Sequence, residues 1–183
     1  MSDWPAELAP LPDWACTKKK RRKHIARVTI LLAAWAETLS LDTAERVAWI
    51  DAGRYHDALR DAPVDELRAL AGESFDSVEL LHGPAAAARL EREGERRTAL
   101  LDAIRYHSVG YDRWKAVGKA LYMADYLEPG RDFDRVRRAV LAARVPQDFE
   151  GTFIQVVRAR MAYATAQGFT IYPESAAMLA SVR

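Results

Sequence analysis

The residues in this chain best suited to chemistry are its four histidines and two of its aspartates. Each histidine is predicted to lie on the apolar face of a helix, and His56 is followed directly by Asp57 in "RYHDALRD". Asp125 continues an apolar stripe within "LYMADYLEP". An ionised carboxylate that faces a protein core is costly unless it is paired or bound to a metal. Inward-facing groups from five helices therefore need a common partner: His24, His56, Asp57, His82, His107 and Asp125.

A metal ion would satisfy these groups together. Neutral imidazole and carboxylate suit zinc, iron or manganese better than calcium. Such an ion lowers the pKa of bound water from 15.7 to about 7, which supplies hydroxide at neutral pH. The alternative is that these are ordinary core histidines, each hydrogen-bonded to a backbone carbonyl.

Helices must position these groups, because apolar residues recur at helical spacing along most of the chain. Asp42 is expected to cap the second helix, and a short helix is expected between Pro63 and Gly72. A Gly-Pro interruption is expected beside His82, and Pro129 should end the helix that carries Asp125. The tail from residue 169 is expected to have a short extended piece and then one helical turn. The fold class is all-α, with an irregular leader at 1–16 and one domain at 17–183.

The composition is that of an ordinary globular protein. The chain has 183 residues, of which 50% are hydrophobic and 29% charged, with a net charge of +1. Cys16 is the only cysteine, so no internal disulfide can form and a reducing compartment is expected. No apolar stretch approaches the roughly 20 residues needed to span a membrane, and the N-terminus does not resemble a signal peptide. We therefore expect a cytoplasmic protein without a membrane partner.

The order of these histidines and aspartates resembles the HD-domain metal-dependent phosphohydrolase superfamily. The local sequence around these residues most resembles one branch, the YqeK-type bacterial symmetrical diadenosine tetraphosphate hydrolases. The matching segments run in the family's order from residue 21 to about 175, and they are "HIARV", "AGRYHDALR", "ELLHGPAAA", "LLDAIRYHSVG", "KALYMADYLEPGRDF" and "QGFTIYPES".

This resemblance implies a single HD-domain helical bundle that cuts diadenosine tetraphosphate, and related dinucleoside polyphosphates, into two ADP. The implied metal ligands are His24, His56, Asp57 and Asp125, and the implied divalent metal is iron, with manganese or another transition metal as the alternative. Asp57 would also hold or deprotonate the attacking water. His82 and His107 would either bind a second metal or contact phosphate, and we favour phosphate contact. A homodimer is left open.

The resemblance also implies cations that bind phosphate. Arg21 would project from the same helix end as His24. Arg60 stands where the family usually has lysine, which keeps the charge but replaces a point cation with a planar fork. Arg131 in "EPGRDF" matches the family's arginine, and its alternative is a surface ion pair with Asp132 or Asp134.

Two further segments are candidates for nucleotide contact. In "SVGYDRWKAVGKA" the chain departs from the family's usual turn, and there Trp114 could stack on a base and Arg113 could touch phosphate. The alternative is a surface loop with a partly buried tryptophan. Phe169 and Tyr172 would line the nucleotide site through the C-terminal segment, or belong to the core instead.

The basic run "KKKRRK" at 18–23 is the remaining motif. Six cations could neutralise several phosphates, but no nucleic-acid-binding motif accompanies them. We therefore favour a solvated helix face over attraction of the substrate, and we disfavour binding of nucleic acid.

Two alternative functions stay open. One is an HD phosphohydrolase for another nucleotide, such as a mononucleotide or cyclic dinucleotide. The other is a non-catalytic domain that senses nucleotides or binds a partner.

Overall fold

The computed structural model of the protein describes residues 5–6, 8–72 and 74–182. Within these ranges the chain forms nine α-helices and no strand, so the all-α prediction is confirmed. The helices are α1 (Lys19–Thr38), α2 (Thr43–Tyr55), α3 (Val64–Ala71), α4 (His82–Arg92), α5 (Thr98–Tyr106), α6 (Ala116–Leu127), α7 (Arg135–Arg144), α8 (Phe149–Ala166) and α9 (Pro173–Ser181). None of the helices in the described part is both long and apolar enough to cross a membrane.

Helix α6 lies at the centre of the bundle. It packs against α1, α2, α5, α7 and α8, and most of its side chains are buried. A helix that is apolar nearly all round can only be stable inside a protein. Asp125 is carried by this helix, so its carboxylate is placed in the interior by the surrounding apolar residues.

Helices α1 and α2 approach each other closely at Gly53. A Cβ atom built on Gly53 would lie 2.8 Å from Cα of Thr29, so only glycine fits at this crossing. The close approach brings the end of α2, with His56, against the part of α1 that carries His24. Gly53, which lies within α2, therefore has a packing function.

The predicted helix ends are largely confirmed. The Asp42 side chain accepts a hydrogen bond from the backbone N–H of Glu45 at 2.8 Å, as expected for an N-cap. Helix α3 lies between Pro63 and Gly72. Helix α6 ends at Leu127, two residues before Pro129, because a residue that precedes proline is disfavoured in helical conformation.

Three local predictions were wrong. The Gly-Pro pair after His82 does not interrupt a helix but forms part of the first turn of α4, where proline's missing N–H has no helical partner to lose. The tail forms the nine-residue helix α9 rather than one turn. His56 and His107 each lie one residue beyond a helix, and His82 begins one, rather than lying within helical stripes.

The leader predicted at 1–16 falls partly outside the described residues, at 1–4 and 7. Its described part from residue 8 onward contains no helix. The backbone N–H of Cys16 donates to the carbonyl of Ala58 at 2.8 Å, and the N–H of Asp61 donates to the carbonyl of Cys16 at 3.2 Å. The end of the leader thus holds the turn that follows Asp57, while the division into leader and domain stays a prediction.

Candidate metal and phosphate site

Six buried polar side chains from different parts of the bundle meet at one centre. Helix α1 contributes one histidine, the ends of α2 and α5 contribute one each, α4 contributes its first residue, and α6 and the turn after α2 contribute the carboxylates. The structure therefore brings together all six residues singled out from the sequence: His24, His56, Asp57, His82, His107 and Asp125.

The carboxylate of Asp57 lies in the middle of the four imidazole rings. Its Oδ2 atom is 3.6 Å from Nε2 of His24 and 3.5 Å from Nε2 of His56. Its Oδ1 atom is 3.0 Å from Nε2 of His82 and 3.5 Å from Nε2 of His107. Each carboxylate oxygen thus faces one pair of histidines.

Three of the histidines are oriented by the same local hydrogen bond. The Nδ1 atom of each lies 2.8 Å from the carbonyl oxygen three residues earlier: His56 with Gly53, His82 with Glu79, and His107 with Ile104. A carbonyl can only accept, so in each ring Nδ1 carries the proton and Nε2 of the neutral ring is an acceptor. The alternative of core histidines bonded to backbone carbonyls therefore describes one side of these rings correctly.

On the other side, the Nε2 atoms of the four rings face one another in pairs. Nε2 of His56 is 3.3 Å from Nε2 of His24, and Nε2 of His82 is 3.1 Å from Nε2 of His107. Lone pairs converging at these distances, together with carboxylate oxygens, repel one another unless a cation or proton lies between them. The donor set thus fits a divalent metal, and its mixture of imidazole and carboxylate suits a transition metal.

Two groups of three could each hold an ion. One is His24, His56 and Asp57, and the other is Asp57, His82 and His107; in each, one ligand atom per residue lies within 4.8 Å of the others. Asp57 belongs to both groups. The site is therefore able to bind a metal, and the arrangement around Asp57 also accommodates a pair of ions.

The electrostatics of the site keep two of the imidazole rings neutral. Burial lowers the pKa of His56 to about 3 and also lowers the pKa of His82, so both are neutral at working pH. For Asp57, burial acts to raise the pKa, but the surrounding imidazoles of His56, His107 and His82 hold it well below its usual value. Asp57 is thus an ionised carboxylate beside the neutral rings of His56 and His82.

His24 differs from the other histidines because carboxylates lie on both sides of its ring. Its Nε2 is 3.1 Å from Oδ1 of Asp125, and its Nδ1 is 3.1 Å from Oε1 of Glu128. Burial lowers its pKa, but the hydrogen bonds to these two carboxylates outweigh burial and raise the pKa to about 9. Without a metal, His24 therefore carries a proton that a metal must displace.

Arginines surround the carboxylates of the site. Nη1 of Arg21 lies 2.5 Å from Oδ2 of Asp57, and Nη2 of Arg131 lies 2.5 Å from Oδ1 of Asp125. Arg131 therefore ion-pairs within the site, and the alternative of a surface pair with Asp132 or Asp134 was wrong. The backbone N–H of Arg60 donates to the carbonyl of Asp57 at 3.0 Å, so Arg60 follows the site closely in the chain. Burial lowers the pKa of His82, and the charge of Arg60 lowers it further.

The other residues predicted to bind substrate are placed differently from one another. Trp114 is 6% exposed, and its indole N–H donates to the carbonyl of Asp102 at 3.1 Å, so it is more deeply buried than the partly buried tryptophan of the alternative. Arg113 is exposed over the ring of Tyr111 and does not line the cleft described next. Phe169 is 58% exposed and so is not a core aromatic, while Tyr172 is half-buried against Phe75.

A cleft of about 1330 Å³ opens beside Asp125. It runs along α8 and the segment 168–172, and Phe169 and Tyr172 both line it. Its polar wall includes the arginines 131, 137, 158 and 160. The cleft thus reaches the cluster at Asp125 and has a basic and aromatic wall.

Sequence reasoning missed two groups at this site. Glu128 is 1% exposed, contacts His24, and ion-pairs with Arg27. Its signal was a carboxylate directly between an apolar helix and Pro129, in the same "YLEPG" segment as Asp125. Arg160 lies on α8, far from every histidine in sequence, and no motif pointed to it.

These features define an all-helical domain built around a histidine and aspartate centre, and the family model for "HD domain" matches residues 21–135. The chain belongs to the HD domain family. Over 173 residues it is 28% identical to the symmetrical bis(5'-nucleosyl)-tetraphosphatase of Bacillus subtilis (strain 168), and this alignment covers 88% of this chain and 90% of that protein. It is 27% identical over 163 residues to the protein of the same name from Staphylococcus aureus (strain NCTC 8325 / PS 47), covering 84% and 82%.

A solved structure shares the fold. It is the predicted HD superfamily hydrolase involved in NAD metabolism from Clostridium acetobutylicum. The superposition covers 89% of this chain and 88% of the solved chain, with a TM-score of 0.75 and 22% sequence identity. The resemblance stated from the sequence is therefore confirmed, and so is the helical HD-domain fold. The family and these relatives support a hydrolase that binds a divalent metal.

Proposed function

We propose that the protein hydrolyses diadenosine tetraphosphate and related dinucleoside polyphosphates symmetrically to two ADP. The observation that carries the proposal is the cluster of four imidazole Nε2 atoms around Asp57, next to a cleft with an arginine-lined wall. Such a site combines metal ligands with cations for a polyphosphate. The names of the two tetraphosphatases above support this substrate class.

The metal would be held by His24, His56, Asp57 and Asp125, with iron as the proposed ion and manganese as the alternative. When bound, a divalent ion lowers the pKa of water toward 7 and neutralises charge on the phosphoryl oxygens. Asp57 would orient the attacking water and accept its proton. The arginines at positions 21, 60 and 131 would stabilise the charge that develops as the phosphoanhydride bond breaks.

The ring orientations bear on the proposed role of His82 and His107. Each ring donates from Nδ1 to a backbone carbonyl, so its Nε2 could donate to phosphate only in the doubly protonated state. Burial lowers the pKa of His82, which disfavours that state. The geometry therefore supports ligation of a second ion by these two rings more than direct phosphate contact.

The proposal is tested by product analysis. Protein loaded anaerobically with ferrous iron is incubated with diadenosine tetraphosphate, and the nucleotides are separated by chromatography. ADP as the sole product supports the proposal, whereas ATP and AMP in equal amounts mean that the site cuts off-centre. Absence of turnover by metal-replete protein would favour another nucleotide substrate or a nucleotide-sensing role.

A matched variant shows whether turnover comes from this site. Asp57→Ala should lose both metal retention and hydrolysis, since both histidine pairs face this one carboxylate. An active, metal-replete Asp57→Ala protein would contradict the proposed mechanism. Metal analysis of protein purified under reducing conditions tests the choice of iron. A cytoplasmic location is also part of the proposal.

A further inference from the structure

Arg160 is the arginine of the cleft that lies beside a proposed metal ligand without holding it tightly. Its Nη1 atom is 3.6 Å from Oδ2 of Asp125, and its side chain is 21% exposed. It also donates to the carbonyl oxygens of Tyr122 and Ser108, at 3.4 and 3.5 Å. All of these contacts are at the long end of the hydrogen-bonding range, so each is weak.

A second arginine of the same region shows what a structural arginine looks like in this fold. Arg138 is 2% exposed and donates to the carbonyl of Tyr126 at 2.8 Å and to the carbonyls of Phe133 and Arg131 at 3.1 and 3.2 Å. Its remaining nitrogen donates to the carbonyl of Glu128. Arg138 thus has its donors satisfied by backbone, and it does not line the cleft.

The guanidinium of Arg160 is held in place by an aromatic ring instead. Its central carbon lies 4.0 Å from the ring centroid of Tyr122, which is 2% exposed. Stacking on a buried ring fixes the plane of the guanidinium and reduces the entropy lost when it binds a ligand. The group is therefore oriented by Tyr122 while its hydrogen-bonding edge faces weak partners and the cleft.

The position of Arg160 relative to Asp125 indicates which phosphate it would meet. Oδ1 of Asp125 faces His24 and Arg131, whereas Oδ2 faces Arg160. Arg160 is thus separated from the Asp57 centre by the Asp125 carboxylate. A phosphoryl group near Arg160 is a neighbour of the reacting one in the chain and not the reacting group itself.

We propose that Arg160 is a specificity-determining residue that binds a non-reacting phosphate of the polyphosphate chain. This inference rests on the proposed function and deepens it, since it names the group that would distinguish a tetraphosphate from a shorter polyphosphate. A planar, always-charged guanidinium suits bidentate binding of phosphate. The polyphosphate replaces the three weak contacts of Arg160 with charge-assisted hydrogen bonds.

The test compares Arg160→Met, Arg160→Lys and Arg144→Met with wild type. Arg144 is an exposed arginine that ion-pairs with Asp148 and does not line the cleft, so its removal controls for loss of one positive charge. We expect Arg160→Met to raise KM for diadenosine tetraphosphate by roughly 10- to 100-fold with kcat changed by less than about threefold. Lysine should restore part of the affinity, and Arg144→Met should behave as wild type.

Binding measurements keep this test independent of turnover. Calorimetric titration of ADP and of pyrophosphate should show the same loss in Arg160→Met and partial recovery in Arg160→Lys. If wild type binds both ligands but cannot hydrolyse diadenosine tetraphosphate, the proposed function fails while the binding data still decide the role of Arg160. If wild type binds neither ligand, the phosphate role is refuted.

Two further results would overturn the inference. A folded Arg160→Met protein with unchanged KM and unchanged ADP affinity would show that this guanidinium does not bind substrate. A variant that loses metal, measured by elemental analysis, would show that Arg160 acts by positioning Asp125 instead. Circular dichroism and thermal unfolding establish that the variants compared are folded.

Discussion

Glu128 provides the sharpest test of how the site is assembled. Its Oε1 lies 3.1 Å from Nδ1 of His24, and its carboxylate also accepts hydrogen bonds from Arg27 and from the backbone N–H of Gly130. The side chain is 1% exposed, and its pKa is held at about 2, because hydrogen bonds from His24 and Arg27 outweigh the effect of burial. Glu128→Gln keeps the size of this side chain and removes its charge.

The expected loss is in metal affinity. A buried carboxylate behind a histidine ligand fixes the ring and increases its basicity, and removing such a partner typically costs about 10- to 100-fold in metal affinity or activity. This corresponds to about 1.4 to 2.8 kcal/mol of binding free energy. The pKa of His24 should fall at the same time, because one of the two carboxylates that raise it is neutralised.

The assay is a competition titration on metal-stripped protein. Manganese or ferrous iron is titrated against a chelator of known affinity, for wild type and Glu128→Gln, and kcat/KM is measured at saturating metal. Glu95→Gln is the matched control, because Glu95 is also an ion-paired glutamate with a pKa of about 2 but pairs with Arg97 at the surface. Its metal affinity should equal that of wild type.

Removal of the Arg27 ion pair is the other consequence of Glu128→Gln and must be separated from the effect on the ring. Arg27→Met breaks the same pair and leaves the carboxylate of Glu128 against His24. An equal loss of metal affinity in both variants would assign the effect to the ion pair. A Glu128→Gln protein whose metal affinity stays within twofold of wild type would refute the argument that Glu128 supports His24.

Three other perturbations have defined outcomes. Chelation should lower the melting temperature of metal-loaded protein, since an ion present at 100 times its Kd stabilises the fold by about 2.7 kcal/mol; unchanged calorimetric melting would contradict this. In metal-free protein, the pKa of His24 is raised from 6.5 to about 9. Protonated His24 therefore contributes fully to the free energy of unfolding below pH 6.5, and this contribution is lost as the pH rises through 9. Denaturation curves at several pH values check this. Metal affinity should rise over the same interval, because the competing proton on His24 is lost. Gly83→Ala would place a Cβ 2.7 Å from the carbonyl oxygen of Ile104. We therefore expect about 1 to 3 kcal/mol of destabilisation, and a loss of activity as His82 and His107 separate. A variant with wild-type stability and activity would refute this close packing.

The sequence was sufficient to single out the six residues that meet at the centre, although the helical stripes expected at His56, His82 and His107 were wrong. Apolar periodicity placed Asp125 on the buried side of its helix, and the order of histidines carried the family resemblance. Helix ends were predicted where capping chemistry is local, as at Asp42. The length of α9 was not, because its stability comes from burying Met178 against the rest of the bundle and not from its own sequence.

Contacts between distant segments were the part that could not be predicted. Whether Trp114 meets a base or the core depends on how the loop before α6 packs, and the structure buries it against Tyr122. Likewise, Arg160 reaches Asp125 only because α8 packs on α6. Such pairings depend on helix crossing geometry, which a helical period in the sequence does not specify.

The position of each histidine relative to its helix explains why only His24 has a hydrogen-bond partner for Nδ1 that is distant in sequence. At a helix end, carbonyls lack helical partners, so the imidazoles of His56 and His107 can take up the carbonyl three residues earlier without disrupting a helix. His24 lies inside α1, where the carbonyls already accept helical bonds, and therefore has no local partner for Nδ1. Its partner is Glu128, 104 residues later. A histidine ligand placed within a helix thus creates a need for a distant carboxylate, and here that carboxylate lies just after the helix that carries Asp125.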